Sequence, residues 1–459
     1  MPPTPTRSEF RLGTAPGGLP QIGHAMEFQK RPLEFITSLA PCGDLVEFRL
    51  GETPVYLVRH TELIQDMLRD TRTFDKGGPI FEKSRAFFGN GLASSEDAIH
   101  RRQRPLVQPS MHVRRIAEYV EVMREEAVKV TESWTEGRSI GITAAMQALT
   151  TGVTARTMFS TGGGPDAVAE VHHCLPIILR GVYLRMTAPE EMVEQLPAAE
   201  RAEFDDALAR LHGLVDKIIE DYRRSGVDHG DALSMMLSAR NEDGEGLTDQ
   251  EIHDNVLNLF SGGVETTASS LAWTFHLLAE HPEIERRMHD ELDGVLDGRA
   301  PANDDLNRLP FTRRVFTEAL RLYPPVWLVS RTAPTDAELG GHPVPAGSTL
   351  MYSPYVVHRD PEVFADPDTF DPDRWLPERM RTHPRGAMIP FGAGRRKCLA
   401  DNFAMTEGVL ALAIIGSRWR LRHAPGTTVT THVAATLGPG PLPMTPEARR
   451  TGAGLAAPR

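Results

Sequence analysis

The run from Thr248 to Pro282, TDQEIHDNVLNLFSGGVETTASSLAWTFHLLAEHP, constrains the fold more than any other stretch of the chain. It is the longest helical pattern present. Thr248 and Glu251 form a T-x-x-E capping box that starts it, and Pro282 stops it. Two glycines, Gly262 and Gly263, interrupt its middle, each at a cost of roughly 1 kcal/mol relative to alanine. Thr266 and Thr267 follow, and their hydroxyls can bond back to a carbonyl one turn earlier and bend the helix. Glu265 adds a carboxyl. Side chains removed at this point let a bulky group approach the backbone, with an acid and a hydroxyl beside it for proton delivery. Close packing of a second helix on the glycines explains the same gap but leaves the Glu–Thr pair unused.

The rest of the chain is organised around helices. DLVEFRLGETPVYLV alternates Val46, Phe48 and Leu50, turns over Gly51–Pro54, and continues through Val55 and Leu57, which predicts a hairpin. From Thr61 to about Tyr323 the pattern is mostly helical, except for a glycine-rich loop over 77–95 that carries Phe81, Phe87 and Phe88. That loop either covers a cavity or tucks onto the core. LPFTRRVFTEALRLY is a further helix ended by Pro324 and Pro325. VWLVSRT and STLMYSPYVV read as short strands, and a long coil leads from His358 towards residue 390. The expected fold class is mainly α with small β-sheets (α+β). The domain reading is a flexible proline-rich lead-in over 1–20 and one catalytic domain over 21–459.

Composition narrows the function. Of 459 residues, 62 are acidic and 50 basic, a net charge of −12, which argues against a nucleic-acid binder. No run resembles a signal peptide or membrane span. The three cysteines, Cys42, Cys174 and Cys398, form no disulfide framework and no CxxC pair, so a reducing cytoplasm is expected.

Cys398 is the exception among them. It closes FGAGRRKC, with Gly392, Gly394, Arg395, Arg396 and Lys397 before it and an apolar helix-like run after it. A helix start and neighbouring cations both favour a thiolate, fit to be a nucleophile or a metal ligand. A buried structural cysteine would not need that setting, and no nearby residue offers itself as a base. Glu318 and Arg321 share one helix face at i and i+3; taken alone they read as a surface ion pair. His100, Arg104, Arg331 and Arg396 are cations able to meet an anionic cofactor, each unremarkable by itself.

Together these motifs resemble the cytochrome P450 family of haem-thiolate monooxygenases. Phe391, Gly394, Arg396 and Cys398 match its F-x-x-G-x-R-x-C-x-G pattern, with Ala400 in place of the last glycine. Gly262, Gly263, Glu265 and Thr266 match its small-Gly-x-acid-Thr helix pattern, and Glu318 with Arg321 its E-x-x-R pair. PGGLPQIGH, HRRQR and HRDP also fit, so the resemblance spans about Pro16 to Pro443.

The resemblance implies the P450 fold, with haem b between the long central helix and the cysteine loop. It implies that Cys398 is the iron ligand, its thiolate favouring O–O cleavage. Arg396, His100, Arg104 and Arg331 would hold the propionates, with Phe391 and Gly394 shaping the loop. Glu265 and Thr266 would deliver protons, and Arg374 of FDPDRW would join Glu318 and Arg321 in a buried network. It further implies O2 as co-substrate, separate ferredoxin and ferredoxin reductase fed by NAD(P)H, no membrane anchor, and a monomer. Phe81, Phe87, Phe88, Phe260, Val326 and Leu328, with CLPIILRGVYL and HVAATL, would line an apolar substrate pocket. Several stretches look like the actinobacterial branch that oxidises sesquiterpenes such as pentalenene, through stepwise oxidation of a methyl group in secondary metabolism. A macrolide, a fatty acid, a peroxide-driven enzyme and a non-catalytic haem-thiolate gas sensor are the alternatives; the Glu265–Thr266 pair argues against the last two.

Overall fold

The computed structural model describes residues 10–160, 164–187 and 193–449. The chain divides into two compact units, each assembled from separated segments: one from 1–82, 326–368 and 381–398, the other from 83–325, 369–380 and 399–459.

A five-stranded sheet forms the first unit. The predicted hairpin is present as Leu45–Leu50 and Thr53–Val58, antiparallel, with Val46 opposite Leu57. Gly51, at φ 64°, makes the turn. Thr349–Tyr352 adds in parallel to Thr53–Val58, and Val329–Thr332 adds antiparallel to that. Alternation explains the sheet's apolar faces: Val46, Phe48, Val55 and Leu57 are all buried. Helix Thr61–Arg69 packs Leu63, Ile64, Met67 and Leu68 into the same core as Tyr56, Leu350 and Ile389.

Of the expected flexible lead-in, residues 1–9 lie outside the described residues. From Phe10 the chain is ordered instead: Leu12–Thr14 pairs in parallel with Leu45–Leu50 and Phe10 is buried. The backbone bonds of that pairing and the buried phenyl ring outweigh the turn-forming composition that suggested disorder. The second predicted strand segment divides. Its first half is Thr349–Tyr352, but Pro354–Val357 is a short helix capped by Ser353.

The second unit is helical. Its central helix is Asp249–Glu280, with both halves of the Thr248–Glu251 capping box formed. It is buried along most of its length, with polar residues such as His253, Asp254, Asn255 and Asn258 among the buried ones. Helix Ile142–Met158 packs along it, and helices Pro310–Leu322 and Asp401–Arg418 also touch it.

The expected loop over 77–95 is a helix from Gly78 to Phe88, followed by a short loop. The central helix captures that loop. Asp254 accepts from the Asn90 amide at 2.7 Å, Asn255 from Leu92 at 3.1 Å, and Asn258 from Ala93 at 2.8 Å. Buried Asp254, Asn255 and Asn258 thus satisfy backbone donors that an irregular segment would otherwise leave bare.

Candidate active site

In the first unit, the Cys398 loop is a tight turn. The Cys398 amide donates to the Phe391 carbonyl at 2.8 Å and the Lys397 amide to Gly394 at 3.2 Å. Gly392 and Gly394 lie at φ 66° and 67°, a region that other residues adopt with strain. A side chain at 394 would also stand 2.4 Å from the Leu68 carbonyl oxygen. Both glycines are therefore required by geometry. Ala400, at φ −103°, needs no glycine, which accounts for its departure from the family pattern. The Cys398 residue is exposed. It is a presented donor, unlike buried Cys174, whose thiol is pushed up to about 12 by burial and the neighbouring Glu170.

Beside that loop lies a cluster of three cations. Arg396 pairs with Asp75 at 2.7 Å. Arg331 is 3% exposed; one terminal nitrogen donates to the Ser330 carbonyl at 2.8 Å, while its Nε has no partner. Lys76 is held next to them, its amide bonded to Asp75 at 2.6 Å. Burial first, then repulsion from Arg331 and Arg396, lowers the Lys76 amine well below its usual range. Burial lowers Arg331 as well. Two mutual amide bonds between Asp75 and Thr332 pin the segments together. The cluster is rich in basic groups and holds one buried donor without a partner, Arg331 Nε, which suits an anionic ligand. Sequence reasoning nominated Arg331 and Arg396 but missed Lys76. "FDKGG" held no signal beyond a lone lysine, since its partners lie far along the chain.

Two further nominated cations lie in the second unit. His100 and Arg104 sit one turn apart on helix Asp97–Val107; His100 is buried, and Arg104 Nε donates to Gln108 at 3.4 Å.

On the central helix the two glycines have different tasks. A Cβ at Gly263 would stand 3.0 Å from Thr154 Oγ1 of helix Ile142–Met158, so this glycine serves close helix packing. A Cβ at Gly262 would meet nothing within 4 Å. Gly262 is exposed in the middle of an otherwise enclosed helix, so here the open backbone is the point. Thr266 Oγ1 donates to that same Gly262 carbonyl at 2.5 Å. Ser270 bonds back to Thr266 at 2.8 Å and Thr274 to Ser270 at 2.7 Å, a ladder of hydroxyls along one face. Burial raises the Glu265 carboxyl above its ordinary value, and a hydrogen bond with Thr436 opposes the shift.

The Glu318 network is closed. Arg321 grips Glu318 with two bonds, Nε at 2.9 Å and a terminal nitrogen at 2.8 Å. Arg374 Nε adds a third at 3.1 Å, Trp375 Nε1 a fourth at 2.8 Å, and the Asp371 amide a fifth at 3.1 Å. Sequence reasoning paired Arg321 with Glu318 by helix spacing and added Arg374 by resemblance, but missed Trp375 and Asp371.

Comparison with known proteins agrees with this arrangement. The family model for cytochrome P450 matches residues 14–442. The chain belongs to the cytochrome P450 family. It is 50% identical to cyclooctatin synthase of Streptomyces melanosporofaciens, covering 97% of each chain. It is 47% identical to cyclooctat-9-en-7-ol 5-monooxygenase of the same organism, over 98% of this chain and 99% of that one. Pentalenene oxygenase of Streptomyces avermitilis is 40% identical, over 93% and 95%. The crystal structure of the cytochrome P450DA heme domain superposes with a TM-score of 0.86 at 26% identity, over 96% of this chain and 99% of that chain. The protein is thus a P450 monooxygenase with the fold expected from its motifs.

The family's haem fits the residues present. An exposed cysteine on a tight turn would offer the iron a thiolate, and the basic cluster of Lys76, Arg331 and Arg396 suits carboxylates. No helix among the described residues is long and apolar enough to cross a membrane.

The nominated pocket residues of this P450 divide. Val326 is exposed and Leu328 half-buried in the first unit, where Lys76 also stands over the Phe81 ring at 5.4 Å. In the second unit Phe87 packs edge-on against Phe204 at 5.4 Å, and Phe88 lies partly buried on the same core. Phe260 is a correction. It is 0% exposed and packed on Phe159 at 5.4 Å, so it lines no space that even a water can enter. Helix position 260 turns into the core. In CLPIILRGVYL the same holds for Cys174, Leu175, Ile178 and Val182, all core residues.

Proposed function

We propose that this P450 oxygenates a polycyclic terpenoid at an unactivated C–H bond in a secondary-metabolite pathway, with a cyclooctat-9-en-7-ol-like skeleton ahead of pentalenene. The observation that carries the reading is the order of likeness: 50% and 47% to the two cyclooctatin enzymes, against 40% to pentalenene oxygenase. A sesquiterpene, favoured by sequence motifs alone, becomes the second substrate to test.

Cys398 holds the iron through its thiolate. Arg331, Arg396 and Lys76 would hold haem carboxylates. When bound, haem supplies the O2-activating and C–H-cleaving chemistry. The rest falls to side chains. Glu265, whose carboxyl burial raises above its ordinary value, is the group that exchanges a proton here. Thr266 Oγ1, with its own hydrogen turned onto the Gly262 carbonyl, offers lone pairs that orient an incoming donor. Exposed Gly262 leaves room beside them. The apolar residues Val326 and Leu328 exclude water and hold the hydrocarbon by shape, since such a substrate offers few hydrogen bonds. Electrons come from NAD(P)H through a separate ferredoxin and reductase, in the cytoplasm, to a monomer.

The test offers cyclooctat-9-en-7-ol, pentalenene, a fatty acid and a macrolide to the reconstituted holoenzyme. The haem spin-state shift and product formation are measured for each. The cyclooctane terpenoid is expected to bind tightest and turn over fastest. Silence towards both terpenoids, with turnover of the fatty acid or macrolide, would overturn the substrate and leave the family untouched.

A further inference from the structure

The second unit contains a cluster of metal-ligand type that the oxygenase chemistry does not use. His276 and Glu280 stand four residues apart on one face at the end of the central helix, and His423 ends the strand Trp419–His423. His276 Nδ1 lies 3.0 Å from His423 Nε2, and His423 Nδ1 lies 3.0 Å from Glu280 Oε1. One ligand atom from each residue falls within 4.8 Å of the other two. We propose that His276, Glu280 and His423 bind a divalent transition-metal ion, Zn2+ first, and so clamp the central helix to that strand.

The chemistry favours such an ion. Two imidazoles and one carboxylate are the donor set of known zinc sites, with metal–ligand distances of about 2.0–2.2 Å. Tetrahedral ligation at those lengths separates neighbouring donor atoms by about 3.4 Å, so the two nitrogens at 3.0 Å need little movement. Without metal, one hydrogen lies between Nδ1 of His276 and Nε2 of His423; it can move to the far nitrogen of its own ring and leave this position to an ion. Glu280 brings a negative charge that offsets part of the ion's.

The positions are also prepared and reachable. The His276 ring is braced edge-on by Trp273 at 5.6 Å, and Trp273 is itself stacked on Tyr323 at 3.8 Å. The side chain of Glu280 is 54% exposed and that of His423 20%, which gives the ion an entry path and leaves a coordination position for water. The other histidine pair of this unit is built differently. His253 bonds Asp216 at 2.6 Å and His212 at 2.9 Å, and His212 ends on the Phe87 carbonyl at 3.1 Å. Both relays run carboxylate–imidazole–imidazole, but this one ends on a backbone carbonyl, so all four of its ring nitrogens are engaged within the chain.

The test uses chelator-treated holoenzyme and Zn2+ alone. Zinc bound per haem iron is measured by elemental analysis, and affinity by calorimetry. One zinc per haem is expected, at micromolar affinity or tighter, together with a raised melting midpoint. His423→Ala and Glu280→Gln are each expected to weaken binding by at least ~100-fold, with the ferrous–CO spectrum unchanged. Glu280→Gln keeps the exposed side chain's shape, so it decides the matter should His423→Ala fold poorly. A double variant at exposed His172 and His173 is expected to bind as wild type. Zinc uptake only at millimolar concentration, or uptake that survives both ligand substitutions, would overturn the proposal.

Discussion

Two clusters of buried charge sit in the two units, and they are finished to different degrees. Around Glu318, two arginines, an indole and an amide supply five bonds to one carboxylate, all inside the chain. Around Arg331, three cations share Asp75, and a buried guanidinium nitrogen has no partner. A closed network is architecture. The other leaves a buried donor, Arg331 Nε, without a partner in the chain. The contrast separates roles that motif matching alone treats alike, since both clusters contain motif arginines.

The largest effect should come from breaking the closed cluster. Glu318→Ala removes the carboxylate that two buried guanidiniums share, a loss of about 3–5 kcal/mol. Little folded, haem-loaded protein should be recovered, as read by circular dichroism and the ferrous–CO spectrum. Wild-type yield and stability would mean that the network is ornamental.

Opening the open cluster further should have the contrary sign. Arg331→Met removes an underpaired cation, so the haem-free protein should keep or gain stability. Haem should bind roughly 10–100-fold more weakly, the value of a charged hydrogen bond of about 1.5–3 kcal/mol. Transfer of haem to a scavenger protein measures this; equal losses of stability and affinity would erase the distinction.

A third buried group sharpens the comparison by avoiding charge altogether. Burial pushes the Glu407 carboxyl up to about 8, the Thr267 side chain pulling weakly the other way. The native protein therefore holds a proton that the unfolded chain, titrating near 4.5, has released. Its contribution is intact below that value and is lost as pH rises towards 8, with a slope of up to ~1.4 kcal/mol per pH unit. Glu407→Gln should flatten wild-type melting curves across this window and stabilise the protein at pH 8. An unchanged slope would place the titration elsewhere.

The smallest effects divide the two glycines. Gly263→Ala crowds Thr154 and should cost about 1 kcal/mol or more in stability. Gly262→Ala meets open space and should leave melting unchanged or slightly raised while altering the substrate-induced spin shift. Identical behaviour would return both to helix packing.

What the sequence disclosed follows the range of each interaction. The Cys398 turn, the Thr248–Glu251 cap and the hairpin are local, and their residues stand together in FGAGRRKC, TDQE and FRLGETPVY. Glu318 and Arg321 were visible as a pair, but their burial was not, because Asp371, Arg374 and Trp375 arrive from another segment. Lys76 is a lone cation until residues 331 and 396 are folded beside it. The helix Gly78–Phe88 was hidden by its glycine and proline start and its aromatic content. Phe260 was misassigned because helix identity is readable from a pattern, while the rotational phase of one residue depends on the neighbours that enclose it.

The sheet's parallel pairing has a consequence for how the chain is made. Val55 faces Thr349 and Leu57 faces Met351. A ribosome adding about 5–20 residues per second needs on the order of 15–60 s to deliver the later strand. During that interval the edge of Thr53–Val58 lacks its neighbour, an invitation to pair with other nascent chains. The unit that carries the cysteine is complete only when residue 398 has emerged. Slower elongation would lengthen the exposure, and yield of loaded enzyme in a foreign host should depend on translation speed and chaperone supply as much as on haem.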